Sequence, residues 1–203
     1  MYFRNWSPEF IKRHRIIDDL VVIEIAINTP YDLYEDKDPS PLKTRDLKPS
    51  VETYLIHCLR EIPKKLKVRI DFCFYEFSGD ENEKQKLEKS VKSFLKYRAV
   101  TKKIDFRFRC FDGFKAIVIG LLFLFLCIYI QHISQVKNPD VLYTFYMEGL
   151  SVLGWVSLWN PVQIFLYEVW PILSYARSLK RCSELEMQFR TIDSLNESRE
   201  YLD

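Results

Sequence analysis

The sequence has almost no imbalance of charge: 30 Lys and Arg stand against 28 Asp and Glu, for a formal net charge of +2 at pH 7. A chain so nearly neutral offers no general electrostatic attraction for nucleic acid. It also lacks the spacings that bind metals or carry out thiol redox chemistry. Cys58, Cys73, Cys110, Cys127 and Cys182 are odd in number and scattered, with no CxxC pair and no paired histidines, the pattern of reduced structural thiols. No Walker loop, dinucleotide fingerprint, nucleophile elbow, internal repeat or low-complexity tract occurs. The expectation is a protein that is not an enzyme and that uses no cofactor or metal. Met1 to Trp6 lack the basic region and apolar core of a signal peptide, so this end is expected to stay in the cytoplasm.

What is present divides in two. Ala116 to Ile130 holds no charged residue, while the stretch ahead of it is rich in Lys, Glu and Arg. About 110 residues are enough to bury a core without disulfides. Val21, Ile23, Ile25 and Ile27 alternate with Glu24 and Ala26, the two-residue period of a half-buried strand. Tyr31 to Lys48, rich in Pro, Asp and Lys without periodicity, reads as a long surface loop. Pro49-Ser50 suits a helix start with Ser50 as N-cap, and Val51, Tyr54, Leu55, Cys58, Leu59 and Ile62 share a face before Pro63. A stronger strand follows from Leu66 to Phe74, its apolar residues alternating with Lys67, Arg69, Asp71 and Cys73. Two strands make a poor sheet, so a third is sought in Leu185 to Ile192, which would have to return from the membrane. Ser78-Gly79-Asp80 opens a charged helix from Glu81 to about Cys110, with Leu87, Val91, Phe94, Leu95 and Arg98 along one side. The fold expected is a small α+β (α/β) cytoplasmic domain of two or three strands and two helices, joined to an α-helical transmembrane hairpin.

Phe114 to His132 is apolar apart from Lys115 and the Gln131-His132 end, close to the roughly 20 residues that cross a ~30 Å hydrocarbon layer. The second apolar stretch, Val141 to Leu173, contains Glu148, Asn160, Pro161, Gln163, Glu168 and Pro171. Ending the span at Trp159, with a kink at Asn160-Pro161, keeps Asn160 and Gln163 away from the bilayer centre; one bent helix from Gly149 to Ile172 would bury them at a cost. The division is then 1–113 as cytoplasmic domain ending in a long basic helix, 114–133 as first span and 134–140 as outer loop. The second span is 141–159, an interfacial or cytoplasmic amphipathic helix occupies 160–182, and a C-terminal segment 183–203 carries the candidate strand 185–192 and a flexible tail. Basic residues set the orientation. Lys96, Arg98, Lys102, Lys103, Arg107, Arg109 and Lys115 lie before or at the start of the first span, Arg177, Lys180 and Arg181 follow the second, and the connecting loop has only Lys137. The positive-inside rule gives a multi-pass protein of the cell (inner or plasma) membrane with N- and C-terminus cytoplasmic.

The combination of Asn28-Thr29-Pro30-Tyr31-Asp32-Leu33-Tyr34 with Glu148-Gly149-Leu150, Gly154-Trp155-Val156, Trp159-Asn160-Pro161 and Phe165-Leu166-Tyr167-Glu168-x-Trp170-Pro171 resembles a family of uncharacterised prokaryotic membrane proteins. Those have a soluble N-terminal region and two transmembrane helices. The resemblance implies architecture and no activity, and Asn160 stands where a basic residue would be expected.

Several residues could carry function. A Glu148 carboxylate within a span faces a partner, a cavity or a proton path, or else reaches outer water. Glu148, Ser151, Gly154 and Ser157 form a small polar ridge at i+3 spacing, suited to close helix contact in lipid. Trp159, Asn160, Pro161, Tyr167 and Trp170 are placed at the inner interface, with Tyr143 and Tyr146 near the outer one. Asn28, Thr29, Pro30, Tyr31, Asp32 and Tyr34 open the loop expected to meet a partner, because recognition concentrates on loops held by a scaffold. The acids Asp32, Glu35, Asp36 and Asp38 match no calcium-loop spacing and read as a solvated loop. His14, His57 and His132 are isolated from one another. Lys102, Lys103, Arg107, Arg109 and Lys115, beside a span, point to the lipid bilayer and its anionic headgroups rather than nucleic acid. The function expected is a membrane-anchored interaction or regulatory protein that meets a protein partner or a second copy of itself. An oligomeric channel or transporter subunit using Glu148 comes second and a membrane-bound enzyme third.

Overall fold

The computed structural model describes residues 15–17, 20–42, 44–77, 79–134 and 140–192. Met1 to Trp6, His14, Ser78, the connecting residues 135–139 and the tail 193–203 lie outside them. The chain divides into two compact units, Met1–Val100 with Tyr175–Asp203, and Thr101–Ser174.

The first unit is built on a four-stranded mixed sheet in the order β1 (Arg15–Ile17), β2 (Leu20–Ile27), β3 (Lys67–Phe74), β4 (Glu186–Thr191). β1 is antiparallel to β2, whereas β2, β3 and β4 are mutually parallel. A parallel pair needs a crossover, and helix α1 (Pro49–Glu61) supplies it between β2 and β3. The C-terminal segment does return to the sheet: Ile70 pairs with Met187 and Phe72 with Phe189, and the Phe72 and Phe189 rings stack at 5.0 Å. Strand alternation puts Val21, Ile23, Ile25, Ile27, Val68, Ile70, Phe72, Phe74, Met187 and Phe189 in one buried core. Val51, Leu55, Cys58, Leu59 and Ile62 of the α1 region close over it, but Tyr54, expected on that face, is 48% exposed. Ser50 does not cap α1. Pro49 is the first helical residue and Lys48 stands at the cap, because proline's fixed φ and missing N–H suit the opening position.

The long loop is more ordered than its composition suggests. Pro30–Leu33 forms a 3₁₀ turn, Tyr34 bridges to Leu47, and Leu33, Tyr34 and Leu47 are at most 2% exposed. Its base is pinned by Glu35 N–H to Asp46 O and Lys48 N–H to Leu33 O, the construction of a compact Ω-loop.

Helix α2 runs unbroken from Glu81 to Ile133, so the charged helix and the first apolar segment are one element. Asp80 caps it, its carboxylate accepting from Glu83 N–H at 2.8 Å. The part within the first unit buries Leu87, Val91, Phe94, Leu95 and Ala99. The second unit holds the rest of α2, packed antiparallel against α3 (Val141–Val156), α4 (Trp159–Gln163) and a π-helical turn, Ile164–Glu168. Pro161 cannot donate to the carbonyl four residues back, and the helix answers with a tighter turn in which Leu158 N–H bonds Trp155 O. Past the π turn, α5 (Val169–Glu184) returns the chain to the first unit from Tyr175 onward.

Candidate functional site

In parallel α/β sheets ligands bind outside the carboxyl ends of the strands. There the loop beginning Asn28-Thr29-Pro30 meets the residues after β3, through Tyr75 N–H to Ile27 O and Glu76 N–H to Asn28 O. A cleft of about 460 Å³ opens beside them, lined by Pro30, Tyr31, Leu42, Glu76, Phe77, Gly79, Glu83, Lys86 and Leu87. Tyr31 is 72% exposed, whereas Tyr34 points inward. Burial raises the pKa of the Tyr34 hydroxyl; the neighbouring Ser90 hydroxyl works against this but donates its own proton to Leu42 O. The loop acids are occupied within the loop. Asp32 accepts from both the backbone and the hydroxyl of Thr29, which hold its carboxyl below the usual range. Asp38 accepts from Ser40 N–H and Asp46 N–H, and the Ser40 side chain together with these two bonds holds its carboxyl below the usual range. Lys48 lies between Asp32 and Asp36. Among the described residues no cluster of His, Cys, Asp or Glu could hold a metal ion.

In the second unit, Gly113, Gly120 and Cys127 are buried at intervals of seven along α2. A seven-residue repeat keeps one stripe facing a partner helix, and small residues let backbones come close. The antiparallel register runs through Arg109 with Glu168, Gly113 with Phe165, Gly120 with Ser157, Leu124 with Gly154, Gln131 with Met147 and Ser134 with Tyr143. A Cβ on Gly120 would sit 3.0 Å from Ser157 O, and one on Gly154 would sit 2.8 Å from Leu124 Cδ1. Ser157 Oγ lies 2.6 Å from Gly154 O and 3.1 Å from Gly120 O, so its one proton is shared across the seam.

The ridge foreseen at Glu148, Ser151, Gly154 and Ser157 is therefore divided. Gly154 and Ser157 join the seam, Ser151 is half-buried at its margin, and Glu148 is exposed on the outer flank. A step of three residues turns a helix by about 300°, so three such steps carry Ser157 roughly half a turn round from Glu148 and the four residues cannot stay on one face. At the other end Trp159, Tyr167 and Trp170 are all more than 60% exposed, Asn160 is exposed and Pro161 is buried. By the hairpin register Tyr167 and Trp170 are level with the stretch of α2 holding Arg107 and Arg109, and Trp159 with Val118, one turn beyond Lys115. Arg109 Nε donates to Glu168 Oε2 at 2.6 Å, Lys115 pairs with Asp112 and lies over the Phe111 ring, and Lys102 pairs with Asp105. Lys103 and Arg107 are exposed.

No family model, curated protein or solved structure matches this chain. What stands is its architecture, a small α/β region with two long apolar helices packed as a hairpin.

Two buried carboxylates escaped sequence reasoning. Glu52, 5% exposed in the first turn of α1, accepts from Tyr175 Oη at 2.8 Å and Arg98 Nε at 3.2 Å, joining α1, α2 and α5 within the first unit. Burial, together with this bond to Glu52, pushes the Tyr175 hydroxyl up to about 12. Asp71, fully buried on the central strand, is held by Arg69 at 2.8 and 3.2 Å, with Arg190 of β4 at 3.9 Å. Asp71 alternates with the apolar residues of β3, yet the strand is buried on both faces from Ile70 to Phe74. Burial likewise pushes the Cys182 thiol up to about 12 and lowers Arg181, whose guanidinium caps the end of α1 through Ile62 O and Pro63 O.

Proposed function

We propose that this chain is a membrane-anchored interaction protein, whose α/β unit recognises a partner on the cytoplasmic side and whose hairpin fixes it at the bilayer. One observation carries the anchoring: the most apolar window of α2 is only 17% buried and that of the following helices only 6%. A core helix of a soluble protein hides such a surface; here Ile119, Leu122, Phe125, Val152, Leu153 and Trp155 all face outward. Phe114 to Ile133 measures about 30 Å at 1.5 Å per residue, the thickness of the hydrocarbon layer. The exposed Tyr167 and Trp170 share a level with Arg107 and Arg109 of α2 at one end, as rings and cations do at a headgroup layer. The cleft beside Tyr31 is the surface offered to a partner, since it combines an exposed aromatic ring, apolar walls and both signs of charge.

The experiment is alkaline carbonate extraction of membranes, followed by labelling of single cysteines with an impermeant reagent in a cysteine-free background. Retention in the pellet, labelling of Asn138→Cys in intact cells and none of Lys65→Cys is the expected result. Release by carbonate would refute the anchoring, and the reverse labelling would refute the orientation.

A further inference from the structure

Glu148 has no place in the seam. Its carboxylate is exposed, and among the described residues it has neither an ion pair nor a hydrogen bond. The register set by Gln131 with Met147 and Ser134 with Tyr143 puts it level with Tyr129 of α2. Tyr129 is 53% exposed and His132, one turn nearer the loop, is exposed as well. Cys127 faces the seam, so Tyr129, two residues on, stands about 200° around α2, close to the opposite pole. Glu148, six residues before Gly154, stands about 120° from the seam on α3. One hairpin cannot bring these groups together, but the α3 flank of one copy can meet the α2 pole of the next.

We propose that the hairpin associates with further copies of this chain through that contact, Glu148 of one copy accepting hydrogen bonds from the Tyr129 hydroxyl and the His132 imidazole of its neighbour. The proposal rests on the anchoring argued above, because in lipid an unpartnered carboxylate is costly and a polar contact between helices relieves the cost. Charge complementarity selects the occupant. A bare acceptor and two donors stand within one turn of each other on different sides of the same hairpin, which makes the surface complementary to itself in head-to-tail fashion, the arrangement that forms rings when its rotation closes. Gly149, beside Glu148, has nothing within 4 Å of where a Cβ would be, leaving room for a neighbouring helix.

Two differently tagged full-length copies are co-expressed, one carrying Val152→Cys and the other Phe125→Cys, both exposed and level with each other one turn further in, so that Glu148, Tyr129 and His132 remain. Mild oxidation in membranes should join the two tags, and Val118→Cys in place of Phe125→Cys, on the same pole but two turns deeper, should not. In nanodiscs the wild type should run above monomer mass. Glu148→Ala should weaken association roughly three- to fifteen-fold per contact, with Glu148→Gln milder because its amide oxygen still accepts. A carbonate-resistant chain that runs as a monomer, or that cross-links equally through Val118→Cys, overturns the pairing alone. A chain released by carbonate overturns the anchoring and the pairing with it.

Discussion

Glu52→Ala tests how the first unit holds its helices. The substitution removes a buried carboxylate that receives Tyr175 at 2.8 Å and Arg98 at 3.2 Å. A hydrogen bond to a charged group contributes about 1.5–3 kcal/mol. The Arg98 side chain is 41% exposed, so it rehydrates when released and its ion pair adds less than about 1 kcal/mol. The loss should be about 2–3 kcal/mol, or roughly 30- to 150-fold in the opening equilibrium of α1. Hydrogen exchange of α1 amides, measured on the full chain in nanodiscs, reads that factor directly. Glu52→Gln should give a smaller loss, because its carbonyl oxygen still accepts from Tyr175. Adding Tyr175→Phe to Glu52→Ala should change protection by less than about 0.5 kcal/mol, since the two act through one bond. Unchanged α1 protection in Glu52→Ala would refute the reasoning.

Phe189→Ala deletes a ring stacked on Phe72 at 5.0 Å and Phe74 at 6.3 Å; it should cost about 3–5 kcal/mol, seen as faster exchange along β3 as well as β4. Gly120→Leu forces a side chain against Ser157 O and should loosen the hairpin by about 1–3 kcal/mol, making the buried Cys127 reactive to maleimide, while Gly149→Leu, in open space, should leave Cys127 protected. The ordinary pKa values are 10.0 for Tyr175 and 9.0 for Cys182, and both rise to about 12 in the fold. Between those limits the unfolded chain sheds protons that the folded one keeps, so their contribution is complete below about pH 9 and falls as pH climbs towards 12. Tyr175→Phe with Cys182→Ala should flatten that alkaline loss in a pH series of unit unfolding.

Sequence alone carried what local periodicity and length can carry. Alternation located β2 and β3 and the returning segment that became β4, the 3.6-residue spacing located the buried side of α1 and of the first part of α2, and apolar length located the two long helices, uncharged from Ala116 to Ile130 in the first and interrupted by Glu148, Asn160 and Pro161 in the second. β1 was missed because three residues are too few to display a period. Ser50 was misread because the N-cap preference of serine was weighed without the stronger claim of Pro49 on the first helical position. The burial of Asp71 was not legible because alternation separates the two faces of a strand without saying what packs over the second one. Gly113, Gly120 and Cys127 are seven apart in plain view, yet a spacing does not say what packs on it, and the partner lies between 20 and 60 residues further along. The direction of Glu148 was likewise beyond a helical pattern. The rotation of α3 is fixed by Gly154 and Ser157 against Leu124 and Gly120, and only that distant contact turns Glu148 outward.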